Sequence, residues 1–393
     1  MRLAWFLAAR LLRKKGTALL RTSALAAMLA VGLGAASLIV VLAIMSGYSR
    51  ALRDGILSAV GHITVLAPGG AAPVATLAAE IGRHPQVSSL GEVVLLPGLL
   101  LAEGEEGGEM VTVRAAALSP PFVRLPEGDR DGPLGLALGA GTARRLRASV
   151  GSPLALQVFA GGVPRTVTVR VAEIFRTGFV DLDEHWVVAR LDQLRRRVPA
   201  LPVPVLEVRL ADPETASTVV AELEPKLPPG VLLTAWQDLP SNRDVFAALR
   251  WQKISLAVVL SLVLGVGAFE VASAVVVLVT EKRRTVGLLV AMGSPNRQIA
   301  LTLLVAGGAL GCVGVLAGTL TGVAIVGVLR ALGVPSFPPD IASIYMVERI
   351  PLCVLPADVL AVLVLGAIEV LLASLLPVRR VARLQPVEVL RWI

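Results

Sequence analysis

The chain has 393 residues, 55% of them hydrophobic and only 17% charged, with a formal net charge of +8 and a mean hydropathy of +0.76. Soluble domains are less apolar and more charged, so this balance argues against an ordinary soluble enzyme and for an integral membrane protein. Cys312 and Cys353 lie far apart in sequence, and His62, His84 and His185 are scattered, so neither a disulfide framework nor a metal-binding spacing is present.

In chain order, residues 1–21 carry Arg2, Arg10, Arg13, Lys14, Lys15 and Arg21 with no acid, and Thr22–Met45 follows without a charge. A membrane span needs about 20 apolar residues, so this run predicts a first span over 22–47. A basic start before an apolar run also fits a cleaved signal peptide. The run exceeds a signal's apolar core and continues past Ala35-Ala36-Ser37, so a retained span is expected.

Residues 48–250 read differently, with 20 basic and 22 acidic residues. HITVLAP, VVLLPGLLLA and MVTVRAAAL predict strands, with VATLAAEIGRH a short helix after the first. VLEVRLA and VLLTAW predict strands around the helix PETASTVVAELEPKL, which has Pro213 near its start. Two strand–helix–strand units separated by an insertion predict an α+β domain of split βαβ type. The insertion, roughly 135–200, has alternating strands and two basic clusters, Arg144-Arg145-Arg147 and Arg195-Arg196-Arg197, read as solvated helix faces. Asp181, Asp183 and Glu184 in GFVDLDEHW read as a surface turn rather than an acid–base pair.

Apolar runs return at Ile254–Thr280, Ile299–Leu329 and Val359–Leu376, interrupted only by Glu270 and Glu369. They predict spans over 251–280, 299–330 and 357–377, with a segment at 281–298, a loop at 331–356 and a tail at 378–393. Trp5 and Trp251 near span ends suit interfacial anchors. The segment at 281–298 carries Lys282, Arg283, Arg284 and Arg297 against Glu281, and the tail carries Arg379, Arg380, Arg383 and Arg391 against Glu388. Positive charge marks the cytoplasmic side, so both termini and 281–298 are expected inside and the large domain outside. The basic excess is topology, and nucleic acid is not expected as a partner. The predicted fold class is thus an α-helical membrane protein with four transmembrane helices and a large α+β extracytoplasmic domain inserted between the first and second spans.

Two features bear on energy. None of the five lysines follows a glycine, so the phosphate-binding loop GxxxxGK[ST] is absent and ATP would be hydrolysed on another chain. Within EKRRTVGLLVAMGSPNRQI, Val286, Leu289, Val290 and Gly293 fall at helical spacing, and Gly293 with Pro295 suits a helix stop. The spacing predicts a short amphipathic helix on which an external ATPase could push. Gly307, Gly311, Gly314, Gly318 and Gly322 place small residues one turn apart, for packing within the chain or for a dimer seam.

Taken together, FLAARLLRKKG, the MSGY at 45–48 leading into HITVLAP, the stretch from WQDLPSNRDVF to LGCVG and the final LLPVRRVARLQPVEVLRWI resemble the permeases of lipoprotein-releasing ABC transporters. This is the LolC/LolE family, within the MacB/FtsX-like four-span permeases. The resemblance implies an inner-membrane protein with a periplasmic domain. The resemblance further implies that such a protein would extract lipoproteins from the outer leaflet for transfer towards the outer membrane.

The implied partners are a LolD-like ATPase dimer, a second permease that is LolC-like or an identical chain, the lipoprotein substrate, membrane lipid and a LolA-like periplasmic carrier. No cofactor is expected on this chain, with ATP and magnesium on the ATPase and no metal or catalytic residue here. The resemblance also implies an acyl-chain cavity at Val41, Met45, Tyr48, Ile254, Val258 and Leu262, with helix or lipid packing as the alternative for each. ATPase coupling would fall to Glu281, Lys282, Arg283, Val286, Leu289, Met292 and Gly293.

Two departures stand out. LQVFAGGVPRTVTVRV turns tightly at Gly161-Gly162, without room for the long hairpin of LolC-type subunits, so the chain looks LolE-like or works without the carrier. Glu270 and Glu369 are acids inside spans, where an acid is costly and by default a functional candidate; a structural hydrogen-bonding role is the other reading. Competing functions are a MacB-like mechanotransmission exporter of peptides or small molecules, an FtsX-like ATP-driven regulator of a periplasmic cell-wall enzyme, and, remotely, an intramembrane enzyme built on the two acids.

Overall fold

The structure is a computed structural model that describes residues 18–68, 73–102, 107–124, 132–160, 163–292, 294–334 and 336–382. The chain divides into two compact units. One comprises residues 1–48, 249–334 and 351–393, and the other comprises 49–248 and 335–350.

The long helices of the first unit are built on the apolar runs of the sequence. They are α1 (Ala18–Ala59), and later in the chain α7 (Pro240–Glu281), α8 (Arg283–Ala291), α9 (Asn296–Leu332) and α11 (Pro356–Ala382). Four of them, α1, α7, α9 and α11, are long and apolar enough to cross a membrane. Both α1 and α7 run on beyond the apolar stretch, so residues 49–59 and 240–248 of these helices belong to the second unit.

Small residues bring the helices of the first unit together. A Cβ on Gly318 of α9 would overlap the carbonyl oxygen of Gly32 on α1, so the two backbones touch there. Gly314 and Gly322 also face α1, while Gly307 and Gly311 face Ser374 and Val370 of α11. The glycine row of α9 therefore packs within the chain. Around it lies a core of α1, α7, α9 and α11 residues that includes Val31, Leu38, Leu264, Val315 and Val370.

The second unit contains β1 (Ile63–Leu66), α2 (Val74–Ile81), β2 (Val87–Ala102), β3 (Gly108–Ala116), β4 (Leu134–Gly139), α3 (Ala140–Arg145), β5 (Pro153–Ala160) and β6 (Val163–Phe175). It continues with α4 (Val180–His185), β7 (Trp186–Arg190), α5 (Leu191–Arg197), β8 (Val205–Leu210), α6 (Ala216–Leu223), β9 (Leu232–Ala235) and, far along the chain, α10 (Pro339–Tyr345). The strands expected from alternating Val, Leu and Thr all form. Asp212 caps the short turn before α6 by accepting from Glu214 N at 3.0 Å, with Pro213 at its first position.

The strand order is β3-β7-β4-β6-β5-β2-β8-β1-β9, and β3 also pairs with β2. Two layouts share the long strand β2. On one side β1-α2-β2 and β8-α6-β9 make the expected split βαβ sheet, over a core with Ile63, Leu77, Val208 and Val219. On the other, β2, β3, β7, β4, β6 and β5 close on themselves around Leu100, Leu136, Leu156 and Val187. Gly98 lies where β2 is flanked by Val111 of β3 and Val158 of β5, and a Cβ there would press on Val113. Closure of the insertion into a ring was not expected from the sequence, because pairing of β3 with both β2 and β7 leaves no local signal.

The GFVDLDEHW stretch is corrected by the structure. Asp183 is not on a surface turn; it is 4% exposed, and its carboxylate accepts from Thr177 N at 2.8 Å, Gly178 N at 2.9 Å and Thr177 Oγ1 at 2.9 Å. Gly178 adopts a positive φ of 81°, which turns the chain so that these donors converge. Next to it, Phe179 bridges to Val347 and Val180 N donates to Met346 O. Arg176 pairs with Glu348 at 2.8 Å, so residues 335–350 are fastened to this unit. The basic clusters are partly neutralised in place, with Arg145 on Glu109 at 3.0 Å and Arg195 on Glu92 at 2.9 Å.

Candidate functional site

The chemistry-bearing residues of the first unit gather at two levels. At the first, Gly47 of α1 lies so close to Pro351 that a Cβ would overlap its carbonyl, and Cys353 N donates to Ala43 O at 2.9 Å. The chain leading into α11 is thereby laid along α1. This places Asp358, on the first turn of α11, against Ser46 of α1 and Lys253 of α7. Lys253 Nζ donates to Asp358 Oδ1 at 2.7 Å and to Ser46 Oγ at 2.9 Å, and Ser46 Oγ donates to Asp358 Oδ2 at 2.7 Å. Every heavy-atom contact in this three-residue knot is short, and Ser46 is only 6% exposed. The lysine and aspartate side chains are 29% and 15% exposed, so this partly shielded pair costs more to break than a fully exposed one.

None of these three residues was singled out from the sequence. The available signal was a lone lysine and a lone aspartate at the starts of two apolar runs that the charge pattern puts on one side of the membrane.

The residues expected to line an acyl-chain cavity lie on the same two helices, α1 and α7, in two different settings. Val41, Met45 and Tyr48 of α1 are half-buried. Ile254, Val258 and Leu262 of α7 are 46%, 55% and 68% exposed, so they face away from the chain's own core. Trp251, one turn earlier, is 69% exposed.

The intramembrane acids also part company. Glu270 is exposed on α7 beside Phe269, which is itself 60% exposed. Glu369 of α11 is half-buried and leans towards Gly265 of α7, 3.7 Å from where a Cβ would stand, and its Oε2 has no hydrogen-bond partner. Gly265 leaves room for this carboxyl against the helix.

The second level lies at the other end of α7, where α8 follows almost without a break: Lys282 N bonds Leu278 O and Val286 N bonds Lys282 O. Val286, read as part of a pushing surface, is turned inward. It is 4% exposed and packs with Val275, Leu278, Ile299, Leu303 and Val378. Among the described residues, the large apolar side chains turned outward here are Leu288, 58% exposed, and Met292 just past the end of α8, 81% exposed. Arg283 is exposed, Glu281 and Lys282 are half-buried, and Glu281 Oε1 has no partner. The side chain of Leu289, and Gly293 altogether, lie outside the described residues, as do Gly161 and Gly162.

Among the described residues, four helices long and apolar enough to cross a membrane, a polar knot joining three of them and a short helix with an outward apolar pair fit a membrane protein. A family model for the MacB-like periplasmic core domain matches residues 24–226, and one for the FtsX-like permease C-terminal region matches 257–386. The chain belongs to the MacB-like periplasmic core family and is an ABC-type permease of the inner membrane with a periplasmic domain.

Over nearly its whole length it is also similar to LolC and LolE proteins. It is similar to the lipoprotein-releasing system transmembrane protein LolC of Xylella fastidiosa, 25% identical over 392 residues, which cover 94% of this chain and 93% of that one. LolC of Neisseria meningitidis serogroup B is 26% identical over 422 residues, 99% of each chain. LolE of Haemophilus influenzae is 25% identical over 398 residues, 92% of each.

Proposed function

We propose that this chain is the transmembrane permease subunit of an ABC transporter that extracts lipoproteins from the outer leaflet of the inner membrane and passes them towards the outer membrane. The observation that carries this reading is the likeness to lipoprotein-releasing LolC and LolE proteins over more than nine-tenths of the chain. In this reading α1, α7, α9 and α11 are four spans, the α+β unit is inserted between the first two, and both termini are cytoplasmic, as the charge distribution supports.

Lipoprotein acyl chains need an apolar wall that opens sideways to lipid. The outward row Ile254, Val258 and Leu262 suits such a wall, completed by a second permease, identical or LolC-like. Val41, Met45 and Tyr48 border it from α1. The knot of Ser46, Lys253 and Asp358 holds α1, α7 and α11 at a fixed spacing beside it, so that a push on α7 reaches the three helices together. Glu270, exposed on the same helix, meets the partner permease or a wet cavity, and Glu369 is a polar filler against Gly265.

The push comes from a separate LolD-like ATPase dimer that binds ATP and magnesium, with this chain binding no cofactor. Leu288 and Met292 are the apolar contacts for that ATPase, flanked by Glu281, Lys282 and Arg283. Val286 anchors α8 to the ends of α7, α9 and α11, so the force passes into the bundle. The pairing of Ala160 with Val163 leaves only two residues between β5 and β6, which supports the LolE-like branch, without an arm to hook a LolA-like carrier.

Purification in mild detergent, followed by mass spectrometry of the complex, tests the reading. An ATPase, a second permease and triacylated lipoprotein are expected together with this chain. A complex without an ATPase contradicts it, and an ATPase with a cell-wall hydrolase in place of lipoprotein points to regulation of a periplasmic enzyme.

A further inference from the structure

The segment between α9 and α11 folds back on itself and presents an apolar face outward. Ser336 bridges to Arg349, and Phe337 N donates to Glu348 O at 2.8 Å, so its two ends meet with α10 held between them. Ala342 of α10 and Val347 just beyond it are buried, the second beside Phe179. Ile341, Ile344 and Tyr345 fall at i, i+3 and i+4 and so share another side of the helix. All three are exposed, Ile344 by 74%. Met346 follows, 43% exposed, at a left-handed backbone position (φ 57°) that ordinarily takes glycine. Tyr345 stacks on Phe337, with ring centroids 5.8 Å apart.

Water gives such a row no reason to stay outside. The place of α10 in the chain supplies an occupant. α9 ends at Leu332 and α10 begins at Pro339; α10 ends at Tyr345 and α11 begins at Pro356. Both α9 and α11 are long and apolar enough to cross a membrane. At no more than about 3.6 Å per residue, the first connection keeps α10 within roughly 25 Å of the end of α9. The last turns of α9 lead into that connection apolar side out, with Val328 55% and Leu332 80% exposed. Arg330 and Arg349, both exposed, flank the segment, and guanidiniums suit the phosphates of lipid headgroups. A stable protein interface takes about 20–30 residues a side, far more than this short row offers.

We propose that α10 lies in the periplasmic interface of the membrane. Ile341, Ile344, Tyr345 and Met346 reach the boundary between headgroups and acyl chains, as the apolar side of an interfacial helix does. Tyr345 has the amphipathic ring favoured at that level, and Arg330 and Arg349 lie among the phosphates. Because residues 335–350 belong to the α+β unit, that unit gains a lipid contact of its own. The inference rests on α9 and α11 being membrane spans and does not depend on lipoprotein release.

Spin labels on the full-length chain, in vesicles of phosphatidylethanolamine and phosphatidylglycerol, test it. In a Cys312→Ala, Cys353→Ala background, labels are placed at Ile344→Cys, at Ser343→Cys on the opposite side of α10, and at Leu320→Cys, an exposed position on α9. Collision with oxygen reports acyl chains, collision with a water-soluble nickel chelate reports water, and a covering protein excludes both. The oxygen-to-nickel ratio at Ile344→Cys should exceed that at Ser343→Cys by at least about threefold, with Leu320→Cys higher still. In the chain with its native cysteines, Ile344→Trp should add emission that brominated phospholipid quenches, a readout that does not depend on the cysteine-free background folding. Equal ratios at Ile344→Cys and Ser343→Cys, shielding of Ile344→Cys from both reagents, or added emission that bromine leaves unquenched would overturn the proposal. If Leu320→Cys stays in lipid, the spans stand and only the proposal falls; if it too meets nickel, the span reading falls with it.

Discussion

The four-helix unit and the α+β unit meet the same packing requirement with opposite materials. In the helix unit the closest contacts are glycines, as where Gly318 meets Gly32, while Leu262, Val266 and Phe269 are 68%, 67% and 60% exposed. In the α+β unit Leu100, Leu136 and Leu156 are fully buried and arginines pair with acids on the outside. The difference is one of solvent. Lipid gives large apolar side chains no reason to hide, so helices associate through close backbone approach; water drives the same side chains into the core.

This contrast can be broken at its strongest point first. Gly318→Val forces α1 and α9 apart and is expected to cost about 3 kcal/mol or more. Gly327→Val, with no atom within 4 Å of its Cβ position, should stay within about 0.5 kcal/mol; urea unfolding in detergent distinguishes them. Equal effects at the two positions would mean that the glycine row does not hold the helices.

Next come the two ends of the bundle. Val286→Asp places a charge in the core that joins α8 to α7, α9 and α11 and should cost about 3 kcal/mol. Met292→Asp, at an exposed position, should leave unfolding within about 0.5 kcal/mol while uncoupling ATP hydrolysis from release. At the other end, Lys253→Met leaves Asp358 with only the Ser46 hydroxyl and should cost about 1–2 kcal/mol, much of it recovered in the double variant Lys253→Met with Asp358→Leu.

The smallest effect is a pH dependence confined to the α+β unit. Burial, then the charge of Arg209, lowers the His62 pKa from its ordinary 6.5, and its Nδ1 accepts from Leu210 N at 2.9 Å. The unfolded chain therefore takes up the proton first as pH falls. Stability from neutral His62 is complete above 6.5 and is lost as pH drops from there through the folded value. His62→Gln should remove that slope from thermal unfolding followed between pH 7.5 and 5.

Much of this was legible in the sequence, for reasons that differ between the two units. Uncharged runs delimit the four long helices because lipid tolerates little else. Alternation of Val, Leu and Thr marks the strands, and Pro213 marks a helix start. What was not legible depends on residues distant in sequence. Asp183 looks like a surface acid until Thr177 and Gly178 are folded around it. Ser46, Lys253 and Asp358 are separated by as many as 312 positions. Helical spacing identified α8 as amphipathic but did not say which side the chain keeps for itself; Val286 faces in, and Leu288 was passed over.

In the proposed function, a push on α8 becomes lipoprotein release. The most direct measurement is ATP-dependent release of a triacylated lipoprotein from proteoliposomes that contain this chain, its partner permease and the ATPase. Wild type should release lipoprotein. Met292→Asp should assemble and hydrolyse ATP yet release little. Undiminished release by Met292→Asp, or none by the intact wild-type complex, would contradict the account.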